Sequence, residues 1–223
     1  MKSRKIHKIV FPFGQLKNFC YRFVSGNRFE KVLNWLRKLR TWSLKMAFAI
    51  LVLEDILTGK KPHELLPPDV SLKALFGTIL IFCGVFLRLW ARGHFMKGQL
   101  FKTGPYRFVR HPLYLGSTIV VLGVLFILND YLNWIIIPPL LIIFHGSAII
   151  YEERSMEKKF SKDWQEYKAN VPAIIPSPTR YLSLKGAFKW RWQVFRRTTE
   201  PITSLLLLSL PIFIEIMEEY AFS

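Results

Sequence analysis

Long apolar runs alternate with dense basic blocks along this chain. The runs are residues 44 to 57, 71 to 91, 113 to 129, 134 to 151 and 202 to 217. Each is of the order of a bilayer's width, because ~20 helical residues at ~1.5 Å each cover ~30 Å. A stretch such as STIVVLGVLFILN offers no polar stripe to solvent, which argues against a soluble helical bundle. The pattern predicts an all-α, polytopic membrane protein of about five transmembrane helices. The first run is the weakest, because Glu54 and Asp55 fall near its end and only Met46 to Leu53 are free of charge.

Amphipathic segments lie beside the spans. In 28 to 41, Phe29, Val32, Leu33 and Leu36 share one face, while Arg28, Lys31, Arg37 and Lys38 lie elsewhere, as in a helix resting in the headgroup layer. A second such helix is expected after the fourth span, where Met156, Phe160, Trp164 and Tyr167 recur among Lys158, Lys159, Lys162 and Lys168. VPAIIPSP, with Pro172, Pro176 and Pro178, cannot continue a helix and should run extended. Trp190, Arg191, Trp192, Arg196 and Arg197 read as an interfacial belt before the last span. Three parts are expected: a basic arm at 1–43, a membrane-embedded domain at 44–200 with its core at 98–176, and a C-terminal transmembrane helix at 201–223.

Charge decides the partner and the orientation. The 223 residues are 51% hydrophobic yet carry a net charge of +17. Because the basic blocks alternate with the apolar runs, the positive excess fits anionic lipids rather than nucleic acid. Twenty-nine of the 32 Lys and Arg fall on one side of the expected spans, against Lys60, Lys61 and Lys73 on the other. The positive-inside rule then places the N-terminus in the cytoplasm of a multi-pass protein. The first thirty residues lack the apolar core of a cleavable signal, so the first run is expected to target the chain. The two cysteines, Cys20 and Cys83, are expected on different sides of the membrane boundary as plain thiols.

The chemistry concentrates where polar side chains crowd the cytoplasmic ends of the apolar helices. In GQLFKTGPYRFVRHPLYLG, residues 98 to 116, Gly104 and Pro105 make a turn and Pro112 suits the first position of a helix. Arg110, His111 and Tyr114 are thereby set at a helix N-terminus, whose unpaired N–H groups favour an anionic group beside them. Ordinary positive-inside flanking would also account for Arg107, Arg110 and His111. Glu152 and Glu153 end the fourth span, and His145 lies seven residues earlier on the same helical face. Such a set is costly at the edge of hydrocarbon unless it meets cations or hydroxyls. Either a functional site or a structural ion pair with Arg107, Arg110 or Arg154 satisfies that requirement. No spacing resembles a metal-ligand set, and neither a phosphate loop nor a dinucleotide glycine motif is present.

GPYRFVRHPLYLG, an apolar hairpin and YEERSMEKKFSKDWQEYKANVPAIIP together resemble the core of the isoprenylcysteine carboxyl methyltransferase and phospholipid methyltransferase superfamily. The likeness spans residues 98 to 176 and joins R-H-P-x-Y-x-G to E-E-x6-F-x3-W-x2-Y-x3-V-P. It implies a membrane enzyme that uses S-adenosylmethionine on a lipidic or small amphipathic acceptor entering from the bilayer. It also implies that Gly98, Gln99, Leu100, Phe101, Tyr106, Arg110, His111, Tyr114, Glu152 and Glu153 line the cofactor pocket. An amine acceptor such as an ethanolamine phospholipid would need a base, and Glu153 or His145 could serve as one. The isoprenylcysteine branch is expected to carry an Arg four residues before the first Glu, where this chain has Ala148. A sterol-type reductase using NADPH carries a related R-H-P-x-Y-x-G segment, but Glu is expected after its glycine and Ser117 stands here. A lipid-binding adaptor without catalysis is the third reading. Gly77 and Gly84, with Gly116 and Gly123, are expected to mark faces of close helix approach.

Overall fold

The computed structural model describes residues 71–95, 99–128, 130–179 and 200–222, together with three residues near 31–35. Among the described residues the regular structure is helical, without strands: α1 Leu72–Arg92, a short 3-10 turn Gly104–Arg107, α2 Pro112–Leu128, α3 Tyr131–Asn170 and α4 Glu200–Phe222. Among the described residues three helices are long and apolar enough to cross a membrane, Leu72–Arg92, Tyr131–Asn170 and Glu200–Met217, while Pro112–Leu128 is apolar but shorter. The expected run at 44 to 57 and the belt around Trp190 lie outside the described residues, as does most of the amphipathic stretch 28 to 41.

Helix α1 begins at Ser71, whose hydroxyl accepts from the Lys73 N–H at 3.3 Å. It buries Ala74, Gly77, Ile81, Gly84 and Val85 at helical spacing, while Phe76, Ile79, Phe82 and Phe86 stay exposed on the other side. An outward apolar face of that kind suits lipid. The buried stripe meets α2 through two glycine pairs. A Cβ placed on Gly77 would fall 2.5 Å from the Gly123 carbonyl oxygen, and one on Gly84 would fall 2.6 Å from that of Gly116. The close approach expected of these four glycines is present, and it leaves Ile81, Val85, Val120 and Val124 interlocked between the pairs. Helix α4 closes this cluster with Leu207 and Ile214.

Helix α3 starts at Asp130, whose carboxylate accepts from the Asn133 N–H at 3.2 Å. The sequence predicts a membrane span followed by a separate amphipathic helix. Both helices are present within Tyr131–Asn170, joined across a kink at Ser161 (φ 40°, ψ −105°), so the break falls later than the expected end of the span near residue 151. The reason is local, because YEERSMEKKF is built of good helix formers and holds nothing that would end a helix. The part before the kink, residues 131–160, covers about 45 Å at ~1.5 Å per residue, more than the ~30 Å of hydrocarbon, so its charged end lies past the membrane core. Residues 171–179 then run without helix, as the prolines require.

Candidate functional site

The site is assembled where the N-terminus of α2 meets the middle of α3. Gly104 opens the approach with φ +60°, a conformation natural to glycine, and its α-carbon lies directly against the His94 ring. Pro112 starts α2 and lacks an N–H that would be unpaired there. Just before it, the Arg110 and His111 N–H groups donate to the carbonyls of Pro172 and Ala173 at 2.8 and 3.0 Å. The extended segment after α3 is thus fastened to the R-H-P motif, and the two halves of the sequence signature become one structure.

Side chains tighten the same junction. Arg110 donates through Nε and Nη2 to Glu153 Oε1 at 3.0 and 2.5 Å, and through Nη1 to the Val171 and Lys168 carbonyls at 2.5 and 3.2 Å. His111 Nε2 lies 3.4 Å from the same Glu153 oxygen, and Lys168 Nζ lies 3.1 Å from Oε2. Glu153 is therefore surrounded by basic groups just past the apolar stretch of α3. Burial pushes its carboxyl up, but the hydrogen bonds from His111, Arg110 and Lys168 outweigh that and hold it at about 2.

Glu152 is placed differently. Its Oε1 accepts from the Tyr114 hydroxyl at 2.5 Å, its Oε2 stands 3.7 Å from His111 Nδ1, and the side chain is 43% exposed. It borders a cavity of about 720 Å³, also lined by Leu100, Phe101, Tyr106, Arg110, His111, Tyr114 and His145. His145 is buried, with its ring 5.1 Å from that of Tyr114 in an edge-on contact. Below them, the Tyr167 hydroxyl donates to the Tyr106 carbonyl at 2.5 Å, and burial keeps both phenols well above their usual range.

Of the residues expected from sequence, Leu100, Phe101, Tyr106, Arg110, His111, Tyr114, His145 and Glu152 share this cavity. Glu153 stands behind them, touching Arg110 and His111. Gln99 is exposed and does not line the cavity, and Gly98 lies outside the described residues. Ala148, where an Arg would stand in the isoprenylcysteine branch, is fully buried against Tyr114 and Ile149 and packs with Ile174.

The cavity has further walls that the sequence reading did not assign to it. Trp164 borders it with a buried Nε1 that has no hydrogen-bond partner among the described residues, and the Arg110 guanidinium lies 5.8 Å from the Trp164 ring. Arg88 and Arg92 of α1, Ser117 of α2, and Thr203 and Leu207 of α4 line its other side. The available signal was the four-residue spacing of Arg88 and Arg92 at the end of an apolar run, which puts both on one helix face.

Residues 72–163 match the family model for phospholipid methyltransferase. Over 73 residues the chain is 32% identical to the protein-S-isoprenylcysteine O-methyltransferase of Schizosaccharomyces pombe. That match covers 33% of this chain and 31% of the yeast protein, so the chain spans about a third of the length of this relative. No solved structure matches the chain. The reductase alternative is not favoured, because both likenesses fall among methyltransferases. Two separate comparisons thus support one superfamily for the helical core of this chain, that of the phospholipid and isoprenylcysteine methyltransferases.

Proposed function

We propose that this chain is a multi-pass membrane methyltransferase that uses S-adenosylmethionine to methylate a lipidic or small amphipathic acceptor. One observation carries the reading. Guanidinium, imidazole, phenol and carboxylate groups from the start of α2 and the middle of α3 share one wall of a cavity whose remainder is largely apolar.

The donor set suits the cofactor. S-adenosylmethionine presents a carboxylate, an ammonium, a ribose diol and a sulfonium, so it calls for basic donors and a carboxylate acceptor in one hollow. The N-terminus of α2 with Arg110 and His111 would take the anionic end, and Glu152 would accept from an ammonium or hydroxyl. The buried Trp164 Nε1 supplies a donor that a ligand oxygen or nitrogen would satisfy. Leu100, Phe101 and Tyr106 would form the apolar side, with Phe101 and Tyr106 rings 5.4 Å apart. S-adenosylmethionine would supply an electrophilic methyl, whose bond to sulfur would break as an acceptor lone pair bonds to the methyl carbon in line, with S-adenosylhomocysteine leaving.

The chain's own task is then to align the acceptor and exclude water. Glu153, held at about 2, is a weak base, and its part is to fix Arg110 and His111. His145 is the better proton acceptor for an amine substrate, since it lines the cavity beside Tyr114. The basic blocks would rest on anionic lipids with the N-terminus in the cytoplasm. The test is to supply the purified protein in bilayers with methyl-labelled S-adenosylmethionine and a panel of acid, amine and thiol amphiphiles. Transfer to at least one is expected, and absence of transfer to all, with the protein folded, would refute the reading.

A further inference from the structure

Arg88 and Arg92, which line the same cavity, belong to a second constellation outside the cofactor set proposed above. Arg88 Nη2 lies 2.7 Å from Glu200 Oε1, and Arg92 Nε lies 3.3 Å from Glu200 Oε2. Arg88 Nη1 also donates to the Ser117 hydroxyl, which in turn donates to the Leu113 carbonyl at 2.9 Å. Glu200 is almost fully buried, and the Arg88 and Arg92 side chains are 16% and 31% exposed. Two guanidiniums thus share one carboxylate beside an apolar enclosure. Arg88 Nε has no hydrogen-bond partner among the described residues. A buried guanidinium donor of this kind is costly unless an acceptor meets it, and an oxyanion in the cavity would supply one.

We infer that Arg88 and Arg92 form the recognition site for an anionic group, a carboxylate or a phosphate, on the acceptor, whose apolar portion lies along Val120, Val121, Leu141 and Leu207. As an acceptor site it rests on the methyltransferase reading above. The geometry agrees with the chemistry. The planar guanidinium fork matches both oxyanions, and four apolar side chains border the same cavity. Glu200 holds the two arginines side by side and lowers their mutual repulsion. It belongs to α4, which lies beyond the 72–163 segment that the family model matches. Acceptor choice is therefore set partly by a helix outside the shared core.

The test uses the full chain in a neutral detergent, titrated calorimetrically with dodecyl phosphate, dodecanoate and dodecanol, and separately with S-adenosylhomocysteine. At least one anionic amphiphile should bind about tenfold or more tighter than dodecanol, and which one does so tells phosphate from carboxylate. Arg92→Gln should remove most of that preference and Arg92→Lys should restore part of it, while the affinity for S-adenosylhomocysteine changes by less than about twofold. Equal binding of all three amphiphiles, or an unaltered preference in Arg92→Gln, overturns the inference. If amphiphile selectivity is as described but S-adenosylhomocysteine does not bind, the anion site stands and the methyltransferase reading fails.

Discussion

Replacing Glu153 by Gln isolates what holds the site together. The substitution keeps the shape and removes one charge from a carboxylate that meets Arg110 at 2.5 and 3.0 Å, His111 at 3.4 Å and Lys168 at 3.1 Å. The amide oxygen can still accept from Arg110, whose side chain is 8% exposed, but the counter-charge is gone and the new NH2 would face Lys168 Nζ, another donor. Removing one partner of a buried ion pair costs ~3–5 kcal/mol. Glu153 is 14% exposed and Lys168 46%, so part of that is screened, and about 2–3 kcal/mol is expected. At ~2–4 °C per kcal/mol for a chain of this size, the apparent Tm in detergent should fall by ~4–12 °C. The pH dependence follows from the direction of the shift. The carboxyl is lowered from 4.5 to about 2, so its stabilisation is fully present above pH 4.5 and is lost as pH falls toward 2. The gap in Tm between wild type and Glu153→Gln should stay constant from pH 8 to pH 5 and narrow below that. Scanning fluorimetry at matched scan rates reads both. A variant within 1 °C of wild type that has nevertheless lost all methyl transfer would refute this reasoning, because it would make Glu153 a proton acceptor rather than a clamp.

Four other substitutions probe separate links. Tyr114→Phe removes the 2.5 Å hydrogen bond to Glu152 and should weaken S-adenosylhomocysteine binding about tenfold, the usual worth of a bond to a charged acceptor; calorimetry checks it. Gly84→Val forces side-chain atoms against the Gly116 carbonyl 2.6 Å away and should cost ~1–3 kcal/mol or more, read as a lower Tm and a lower yield of monodisperse protein. Gly104→Ala combines an unfavourable φ of +60° with a collision against His94, and should lower the Tm while Phe82→Leu, on the exposed face of α1, leaves it nearly unchanged.

Much of the helical core was legible because its signals are local. The period and length of the apolar runs gave α1, α2, α4 and the first half of α3, and the glycine spacing gave the face on which α1 and α2 touch. The R-H-P segment was readable as a helix start because Pro112 can only sit comfortably there. The length of α3 was not, since a change from apolar to basic residues looks like the end of an element, whereas backbone propensity through Tyr151 to Phe160 continues the helix regardless of polarity. Nor was the division of labour between Glu152 and Glu153 visible. Adjacent carboxylates are identical in sequence, and only the 100° turn between neighbouring helical positions aims one at Tyr114 and the cavity and the other into Arg110 and Lys168. Arg88 and Arg92 were hidden for a different reason. Basic residues at the end of a span are expected on topological grounds alone, and their meeting with Glu200, more than a hundred residues away, is a tertiary contact.

The most direct measurement is calorimetry of S-adenosylhomocysteine and, separately, NADPH against the wild-type protein, Arg110→Ala and Glu152→Ala. The wild type should bind S-adenosylhomocysteine and not NADPH, and each substitution should weaken binding by about tenfold or more with the helical content intact, because each removes a charged hydrogen-bonding group from the same wall. Unchanged affinity in both variants, or binding of NADPH in place of S-adenosylhomocysteine, would show that this cavity does not hold a sulfonium nucleotide.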